Sequence, residues 1–569
     1  MTFRPLPSLL EHDPLDRLAR SRFAILALLL IAIFAASQGM GSIPVLDRDE
    51  ARFAQATKQM IETGDYVRIF VQDEPRNKKP IGIHWIQAAT ASLTTTTEIW
   101  GYRLASMLGL CAAVIGTFWA GSSLVGRTPA FAGAAVFAVG LLASTEGMIA
   151  KTDAALCGAT ALAMAALARL YVGHGGKWSA IGVWAAIGAG ILLKGPVTAM
   201  TVGLAVLALC FWERRWGWLR PLGHWAGPLV ASVIVLPWMI AIGLATDGTF
   251  FAQALGGDLG PKVAGGHEGH AGPPGYHLLL APLLLFPATA LLLPAAKIAA
   301  SAVRSPRAEP ESAGARFLLA WIIPTWLVFE ILPTKLAHYT LPTYPAIALL
   351  AGMALFAVVA KPWPKRLASA GVFLLAGAGL IAIAAAIATY MPGDAIADER
   401  RAVQAALVGG VGIVVAVGGF LASRTAATML AMLLATGFVS LYGLRERLLP
   451  EARELLVSDQ AKRALSRAIP DWRDAPSGTV IIVGYRETSL VFETKTDVRL
   501  MSAEQAAHLA QADDVAIVNE TTESLAAMND GLLARGLVFT SVGPPVTGLN
   551  YSNGDQTVLQ PGRIELRPN

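Results

Sequence analysis

Ionisable side chains in the connections between long apolar stretches are the residues of this chain best able to do chemistry. They are Asp47, Asp49, Glu50, Arg52, Lys78 and Lys79 in the first long connection, then Lys151 and Asp153, Lys194, Lys262 with His267 and His270, and finally Lys335, His338 and Tyr339. Cations bind a phosphate and stabilise one that departs, and a carboxylate can take a proton from an attacking hydroxyl. This mixture predicts a reaction on a lipid phosphate at the boundary between lipid and water.

The apolar stretches that carry these connections indicate a polytopic α-helical membrane protein. Of the 569 residues 54% are hydrophobic and 15% are charged, whereas soluble domains are roughly a quarter charged. An ordinary soluble enzyme is thereby excluded. About 13 stretches are long enough to span a membrane: 23–41, 101–122, 128–147, 154–172, 178–193, 196–213, 223–245, 277–300, 316–332, 342–360, 367–390, 402–421 and 426–444.

The distribution of basic residues sets the predicted orientation. If the short stretch 81–97 does not cross, the basic connections share one side, which the positive-inside rule makes cytoplasmic. We then expect a cytoplasmic N-terminus (1–22), a membrane domain (23–445) and a first external loop (44–100) with helices lying at the interface. All the ionisable residues named above fall on the outer face. The net charge of +5 reflects basic loops and does not indicate nucleic-acid binding.

Residues 446–569 differ in composition from the rest of the chain. Short β-rich runs such as TVIIVGY and DVAIVNE alternate with helical patterns such as SAEQAAHLAQ. This alternation predicts a small α/β domain outside the membrane, on the same side as the ionisable cluster.

Six motifs in order carry a resemblance to a known family. They are D-E-A-R at 49–52, Lys79-Pro80 before Trp85, Asp153, Lys194-Gly195-Pro196, the GGDLGPKVAGGHEGHAGPPGYH loop, and PTKLAHYTLP at 333–342. Together they resemble integral-membrane glycosyltransferases of the C superfamily with the GT-C fold. The closest branch looks like the bacterial lipid A aminoarabinose transferases, distant kin of the protein O-mannosyltransferases (glycosyltransferase families 39 and 83). GYRETSLVF at 484–492 is similar to the small periplasmic domain that ends this family.

The resemblance implies inverting transfer of a sugar from an undecaprenyl or other polyprenyl phosphate-sugar to lipid A or the lipopolysaccharide core. The transfer would take place on the periplasmic side of a bacterial inner membrane and would require no cofactor. Carried over by position, Asp49 is the main catalytic acid and Asp153 the second. The lipid-phosphate ligands are Arg52, Lys79, Lys262 and Tyr339, and the candidate substrate-binding residues are Glu50, Lys194, Lys335 and His338. The family's usual D-K-P-P is replaced here by Lys78-Lys79-Pro80-Ile81, which leaves room for a different donor or acceptor.

Alternatives stay open for several of these residues. Glu50 can be an acid that favours the start of a helix, Arg52 can pair with Asp49 one turn away, and Lys194 can snorkel from the end of a span. His267 and His270 have a spacing that could hold a divalent metal. A transferase acting on protein or another envelope glycan would use the same residues, while a lipid or solute transporter would place its charges near the middle of the membrane. The sugar, the acceptor and the oligomeric state are not determined by the sequence.

Overall fold

The computed structural model of the protein describes residues 13–260, 272–306, 309, 312–392, 395–520 and 525–568. The three candidates Lys262, His267 and His270 lie outside the described residues. Helices make up most of the chain, and a six-stranded sheet lies near its C-terminal end.

The N-terminal four-fifths of the chain is helical apart from one short hairpin. Its helices are α1 (Pro14–Arg20), α2 (Ala24–Ser37), α3 (Asp49–Thr63), α4 (Gly82–Leu93), α5 (Ile99–Leu124), α6 (Arg127–Ala138), α7 (Leu141–Glu146), α8 (Asp153–Tyr171), α9 (Lys177–Lys194), α10 (Val197–Glu213), α11 (Ala226–Ala245), α12 (Thr249–Ala252), α13 (Tyr276–Leu284), α14 (Leu292–Arg304), α15 (Ala313–Ile331), α16 (Tyr344–Val359), α17 (Leu367–Ala388), α18 (Ala395–Ala422) and α19 (Ala426–Tyr442). The hairpin joins β1 (Phe70–Val71) to β2 (Glu74–Pro75).

The predicted class of polytopic helical membrane protein is confirmed, but the count of spans differs. In the described part of the chain eight helices are long and apolar enough to cross a membrane, or up to ten if two sharply bent helix pairs each count as one span. The remaining predicted spans are also helical. Stretch 178–193 lies in α9, and all of stretch 196–213 except Pro196 lies in α10, which has only 17 residues. Stretch 128–147 breaks at Val139 and Gly140 into α6 and α7.

Small residues allow α5 and α8 to pack at very short range. A Cβ on Gly109 would lie 2.4 Å from the backbone nitrogen of Ala155, and one on Gly158 would lie 2.7 Å from the Gly109 carbonyl oxygen. Such approaches need glycine, as is common between helices in membranes. This packing fixes the start of α8, where Asp153 is the first residue.

The first long loop contributes α3, the β1–β2 hairpin and α4. Helix α4 has 12 residues and is therefore about 18 Å long, too short for a hydrocarbon core of about 30 Å. The stretch 81–97 thus forms no spanning helix, in agreement with the sequence prediction.

The predicted small C-terminal α/β domain is confirmed. Its helices are α20 (Val457–Ala468), α21 (Thr488–Glu493), α22 (Ala503–Leu509) and α23 (Leu525–Ala534), and its strands are β3 (Val480–Val483), β4 (Arg499–Met501), β5 (Val515–Asn519), β6 (Leu537–Ser541), β7 (Val546–Asn550) and β8 (Asp555–Leu566). The sheet order is β4-β3-β5-β8-β6, with β7 also paired to β8. Strand β3 runs parallel to β4 and β5, and β8 runs antiparallel to its neighbours. Apolar side chains fill both faces.

This domain rests on the first long loop. Gln55 donates to the Thr496 hydroxyl (2.9 Å), and Lys58 Nζ donates to the Phe492 carbonyl oxygen (3.1 Å). Gln72 donates to the carbonyl oxygen of Val498 (2.7 Å). The first loop and the C-terminal domain therefore lie at the same end of the helical bundle.

Candidate active site at one end of the helical bundle

A fully buried ion pair fixes the start of the first loop. The Arg103 guanidinium on α5 pairs with both carboxylate oxygens of Glu50, at 2.9 Å and 2.8 Å. The same guanidinium donates to the carbonyl oxygens of Met40 and Ile43, among others. Glu50 also accepts from the backbone N–H of Ala150 (2.8 Å). One ion pair thus joins the first loop to α5 and to the connection before α8.

Asp49 stands next to Glu50 in a different environment. The chain turns at Arg48, a non-glycine residue with φ of 65°, and α3 begins at Asp49. An acid in the first turn is stabilised by the helix dipole. The Asp49 side chain is 54% exposed, and among the described residues its closest cation is Arg76, at 3.9 Å. Arg52 follows one turn later and is half-buried. Asp49 is therefore accessible to a substrate.

A buried ionic cluster lies where α7, α8 and α9 meet the connection before α16. We use "ionic cluster" for Glu146, Lys151, Asp153, Lys194 and His338. Lys151 Nζ lies 2.9 Å from Glu146 and 3.8 Å from Asp153, and Lys194 Nζ lies 2.5 Å from Asp153. His338 Nε2 lies 3.7 Å from Asp153, and its Nδ1 lies 3.4 Å from Lys151 Nζ. Each carboxylate of the cluster is thus held beside a cation.

Protonation in this region follows from burial and neighbouring charge. Burial lowers the pKa of Lys151, but the carboxylates of Glu146 and Asp153 outweigh it and raise that pKa above its ordinary value. Burial lowers the pKa of His338 well below its ordinary value, and the ammonium groups of Lys151, Lys194 and Lys79 reinforce this against Asp153. Lys151 is therefore charged and His338 neutral near pH 7.

The predicted phosphate ligands Lys79 and Tyr339 border this cluster. The Lys194 ammonium lies 5.5 Å from the centre of the Tyr339 ring. The charge of Lys79 is close enough to lower the pKa of His338, and that of Asp49 is close enough to raise the pKa of Lys151. Lys79 is half-buried whereas Lys78 is exposed. Residues far apart in sequence therefore gather into one charged region.

Two of the predicted substrate-binding residues are engaged elsewhere. Both Glu50 oxygens are occupied by Arg103 and backbone N–H groups. Lys335 is buried and donates to the carbonyl oxygens of Phe329 and Leu332, at 3.0 Å and 2.7 Å, so it caps the end of α15. These contacts favour a structural role for both residues, and their role in substrate binding stays a prediction. The other two, Lys194 and His338, belong to the ionic cluster.

Sequence reasoning missed Glu146 and Arg76. Glu146 is buried, and in the described part of the chain its Oε2 has no hydrogen-bond partner. Its sequence signal was a lone acid at the end of an apolar stretch, a position where ionisable groups are usually functional. Arg76 precedes the two lysines of the first loop and follows β2. In the described residues no group of three or more His, Cys, Asp or Glu side chains could hold a metal ion.

Comparison with known proteins identifies the architecture. Residues 78–240 match the family described as dolichyl-phosphate-mannose-protein mannosyltransferase. The crystal structure of ArnT from Cupriavidus metallidurans bound to undecaprenyl phosphate matches with a TM-score of 0.71 and 20% identity, over 94% of this chain and 97% of that one. The chain has the GT-C fold.

Two curated relatives extend the similarity to sequence. The undecaprenyl phosphate-alpha-4-amino-4-deoxy-L-arabinose arabinosyl transferase of Erwinia tasmaniensis is 27% identical over 312 residues, which cover 53% of this chain and 54% of that protein. The corresponding protein of Pseudomonas paraeruginosa is 27% identical over 349 residues, 60% of this chain and 59% of that protein. The match thus spans little more than half the length of these relatives. The predicted resemblance to GT-C membrane glycosyltransferases is confirmed.

Proposed function

We propose that this GT-C protein transfers a sugar from a polyprenyl phosphate-sugar, such as an undecaprenyl phosphate-sugar, to lipid A or a related envelope glycan. The observation that carries the proposal is the gathering of an exposed carboxylate, Asp49, with a cation-rich region beside it. Similarity to proteins named for undecaprenyl phosphate-linked sugar transfer supports the choice of donor.

The donor phosphate is the group that the cations hold. Arg52 and Lys79 supply charge, the Tyr339 hydroxyl supplies a hydrogen bond, and Lys262 is assigned to the same role by its motif. Glu146 and Asp153 keep Lys151 and Lys194 in place through ion pairs of 2.9 Å and 2.5 Å. These preorganised cations stabilise charge on the departing phosphate, and losing one such donor typically costs on the order of a hundredfold in rate.

The acceptor attacks the anomeric carbon from the side opposite the phosphate. The bond between the anomeric carbon and the phosphate oxygen breaks, its electron pair stays on the polyprenyl phosphate, and the configuration is inverted. A hydroxyl acceptor gives its proton to Asp49, the most exposed carboxylate of the site. A phosphate acceptor is already ionised, and Asp49 then only positions it.

The acceptor class and the membrane side belong to the proposal as well. The proposal places the protein in a bacterial inner membrane, and the positive-inside rule supports a cytoplasmic N-terminus and a periplasmic C-terminal domain. The match to a family described as protein mannosyltransferase makes a protein acceptor the second candidate. A transporter is disfavoured because the ionisable groups converge at one end of the bundle rather than at its middle.

Mass spectrometry of lipid A, core oligosaccharide and membrane proteins tests the proposal. A deletion strain is complemented with the wild type, Asp49→Asn, Lys79→Ala or Glu62→Gln. Glu62 is an exposed acid on the same helix as Asp49 and is the matched control. We expect a sugar-sized mass on a glycan with the wild type and Glu62→Gln, and its loss with the other two variants. The same mass on protein would favour the second candidate, and unchanged glycans and proteins in all strains would refute sugar transfer.

A further inference from the structure

A polar cavity of about 350 Å³ lies in the C-terminal domain, and its lining includes no residue of the ionic cluster. It is bounded by Gly484 after β3, by Met501 at the end of β4 and by Asn519 at the end of β5. Open α/β sheets bind ligands outside the carboxyl ends of their parallel strands. The β7–β8 hairpin also lines the cavity, through Asn550 on β7 and Gln556 on β8. The cavity has the position and the size, about 300–1,000 Å³, of a small-molecule site.

The lining of the cavity matches hydroxyl groups better than it matches a phosphate. Four amide side chains border it: Asn519, Asn550, Asn553 and Gln556. A side-chain amide both donates and accepts hydrogen bonds, as a sugar hydroxyl does. Among the described residues of the lining the single cation, Arg486, is offset by Glu487 and Asp555, so these residues lack the excess of positive charge that anion sites use. The chemistry fits an uncharged saccharide.

Internal hydrogen bonds hold these walls in place. Asn550 Nδ2 donates to Glu487 Oε1 (3.2 Å), and Asn519 Nδ2 donates to the Gly484 carbonyl oxygen (3.1 Å). The cavity therefore exists before a ligand arrives, which reduces the conformational entropy that binding would cost.

The cavity borders the loop that leads to Asp49. The Ser489 hydroxyl, two residues after Glu487, donates to the Asp47 carboxylate. The backbone N–H of Asp47 donates to the hydroxyl of Tyr551 (2.6 Å), in the β7–β8 turn. Asp49 follows Asp47 by two residues, a chain length of at most about 7 Å. The cavity is thus connected, through residues next to its lining, to the segment that leads to Asp49.

We propose that the cavity binds an uncharged saccharide portion of the acceptor and holds the acceptor beside Asp49. That the saccharide belongs to an acceptor rests on the proposed sugar transfer, whereas saccharide binding itself does not. Four residues of the GYRETSLVF segment line the cavity: Gly484, Tyr485, Arg486 and Glu487.

Ligand-detected NMR on the full chain in nanodiscs tests this inference. The probes are the di-N-acetylated β-1,6-linked glucosamine disaccharide, which is the neutral form of the lipid A backbone, and inorganic phosphate. Gln556→Trp places an indole at the exposed Gln556 position on β8, in the cavity lining. Gln511→Trp is the matched control, because Gln511 is an exposed glutamine of the same domain outside the cavity. A thermal midpoint for each variant establishes folding, and Gln556→Ala provides a second, smaller change.

We expect the disaccharide to bind the wild type, Asp49→Asn and Gln511→Trp equally, and Gln556→Trp at least tenfold more weakly. In the transfer assay Gln556→Trp should raise the KM for the acceptor and leave kcat at saturation unchanged. The inference is overturned if the wild type binds phosphate but no disaccharide, or if Gln556→Trp binds the disaccharide as well as the wild type. The two proposals can also be separated. If the protein transfers no sugar but binds the disaccharide, and only the Gln556 variants lose this binding, saccharide binding in the cavity is supported and the proposed function is refuted.

Discussion

Replacing Glu50 by Gln should destabilise the fold around the site rather than remove a group that acts on the substrate. The Arg103 side chain is fully buried, and both of its bonds to Glu50 are shorter than 3.0 Å. The variant keeps the shape of the side chain but leaves the Arg103 cation without a buried counter-charge. Breaking a buried ion pair from one side typically costs about 3–5 kcal/mol. Because the Arg103 guanidinium also holds the backbone at Met40 and Ile43, we expect the first loop to lose its anchor.

The adjacent residue should show the opposite behaviour. Asp49 is 54% exposed and its closest cation among the described residues is 3.9 Å away, so Asp49→Asn should change the free energy of unfolding by no more than about 0.5 kcal/mol. Transfer should nevertheless fall by about a hundredfold to ten-thousandfold if a hydroxyl acceptor loses its base. Thermal unfolding in detergent and the transfer rate are measured on both variants, with Glu62→Gln as the control.

The pair of variants separates stability from chemistry. The reasoning fails if Glu50→Gln unfolds at the wild-type temperature and yet transfers no sugar, because Glu50 would then act on substrate. It also fails if Asp49→Asn unfolds early, because Asp49 would then be a structural residue.

Three further perturbations have defined outcomes. Lys79→Met should raise the KM for the polyprenyl phosphate-sugar about tenfold or more, whereas exposed Lys78→Met should leave it unchanged. Burial raises the pKa of Asp47 to about 6, against the Ser489 hydrogen bond. The folded chain therefore favours the protonated carboxyl, and the unfolding temperature of the wild type should fall as the pH rises from about 4 to about 6. Asp47→Asn should lack this decrease. Identical pH profiles of the unfolding temperature for the two proteins would contradict the assignment. Gly109→Ala should destabilise the α5–α8 contact by about 1–3 kcal/mol, while Gly203→Ala, with open space at its Cβ, should be neutral or slightly stabilising in thermal unfolding.

The fold was predictable where composition determines it. Long apolar stretches mark the helices, and short apolar, β-branched runs such as Val480–Val483 mark the buried C-terminal strands, so the class of protein follows from the sequence. The break inside 128–147 could not be predicted from the sequence. It separates α6 from α7 at Val139 and Gly140, where the Leu141 N–H donates to the carbonyl oxygen of the distant residue Phe286. Tertiary contacts of this kind leave no periodic signal.

The proximity of several candidate residues could be predicted from residue type and from their order along the chain, but their individual contacts could not. Asp49, Lys79 and Asp153 could be selected because they belong to motifs that follow one another in a fixed order and lie at the predicted outer ends of the spans. The contacts of the other two candidates could not be predicted in this way. Glu50 pairs with the distant Arg103, and Lys335 donates to backbone carbonyl oxygens at the end of α15. Glu146 was overlooked because it stands alone in sequence, and only the folded chain brings Lys151 to within 2.9 Å.

The three acids at the site differ in burial, and this difference suits them to different tasks. Asp153 and Glu146 are buried, and each lies against a lysine that it keeps in position. Asp49 is exposed, and in the described part of the chain its nearest cationic atom, on Arg76, lies 3.9 Å away. A carboxylate committed to a buried ion pair would have to break that pair before it could take a proton, which adds to the barrier. The exposed acid carries no such cost, so we propose that Asp49 acts at the acceptor, and that the buried acids serve the donor phosphate through the cations that they hold.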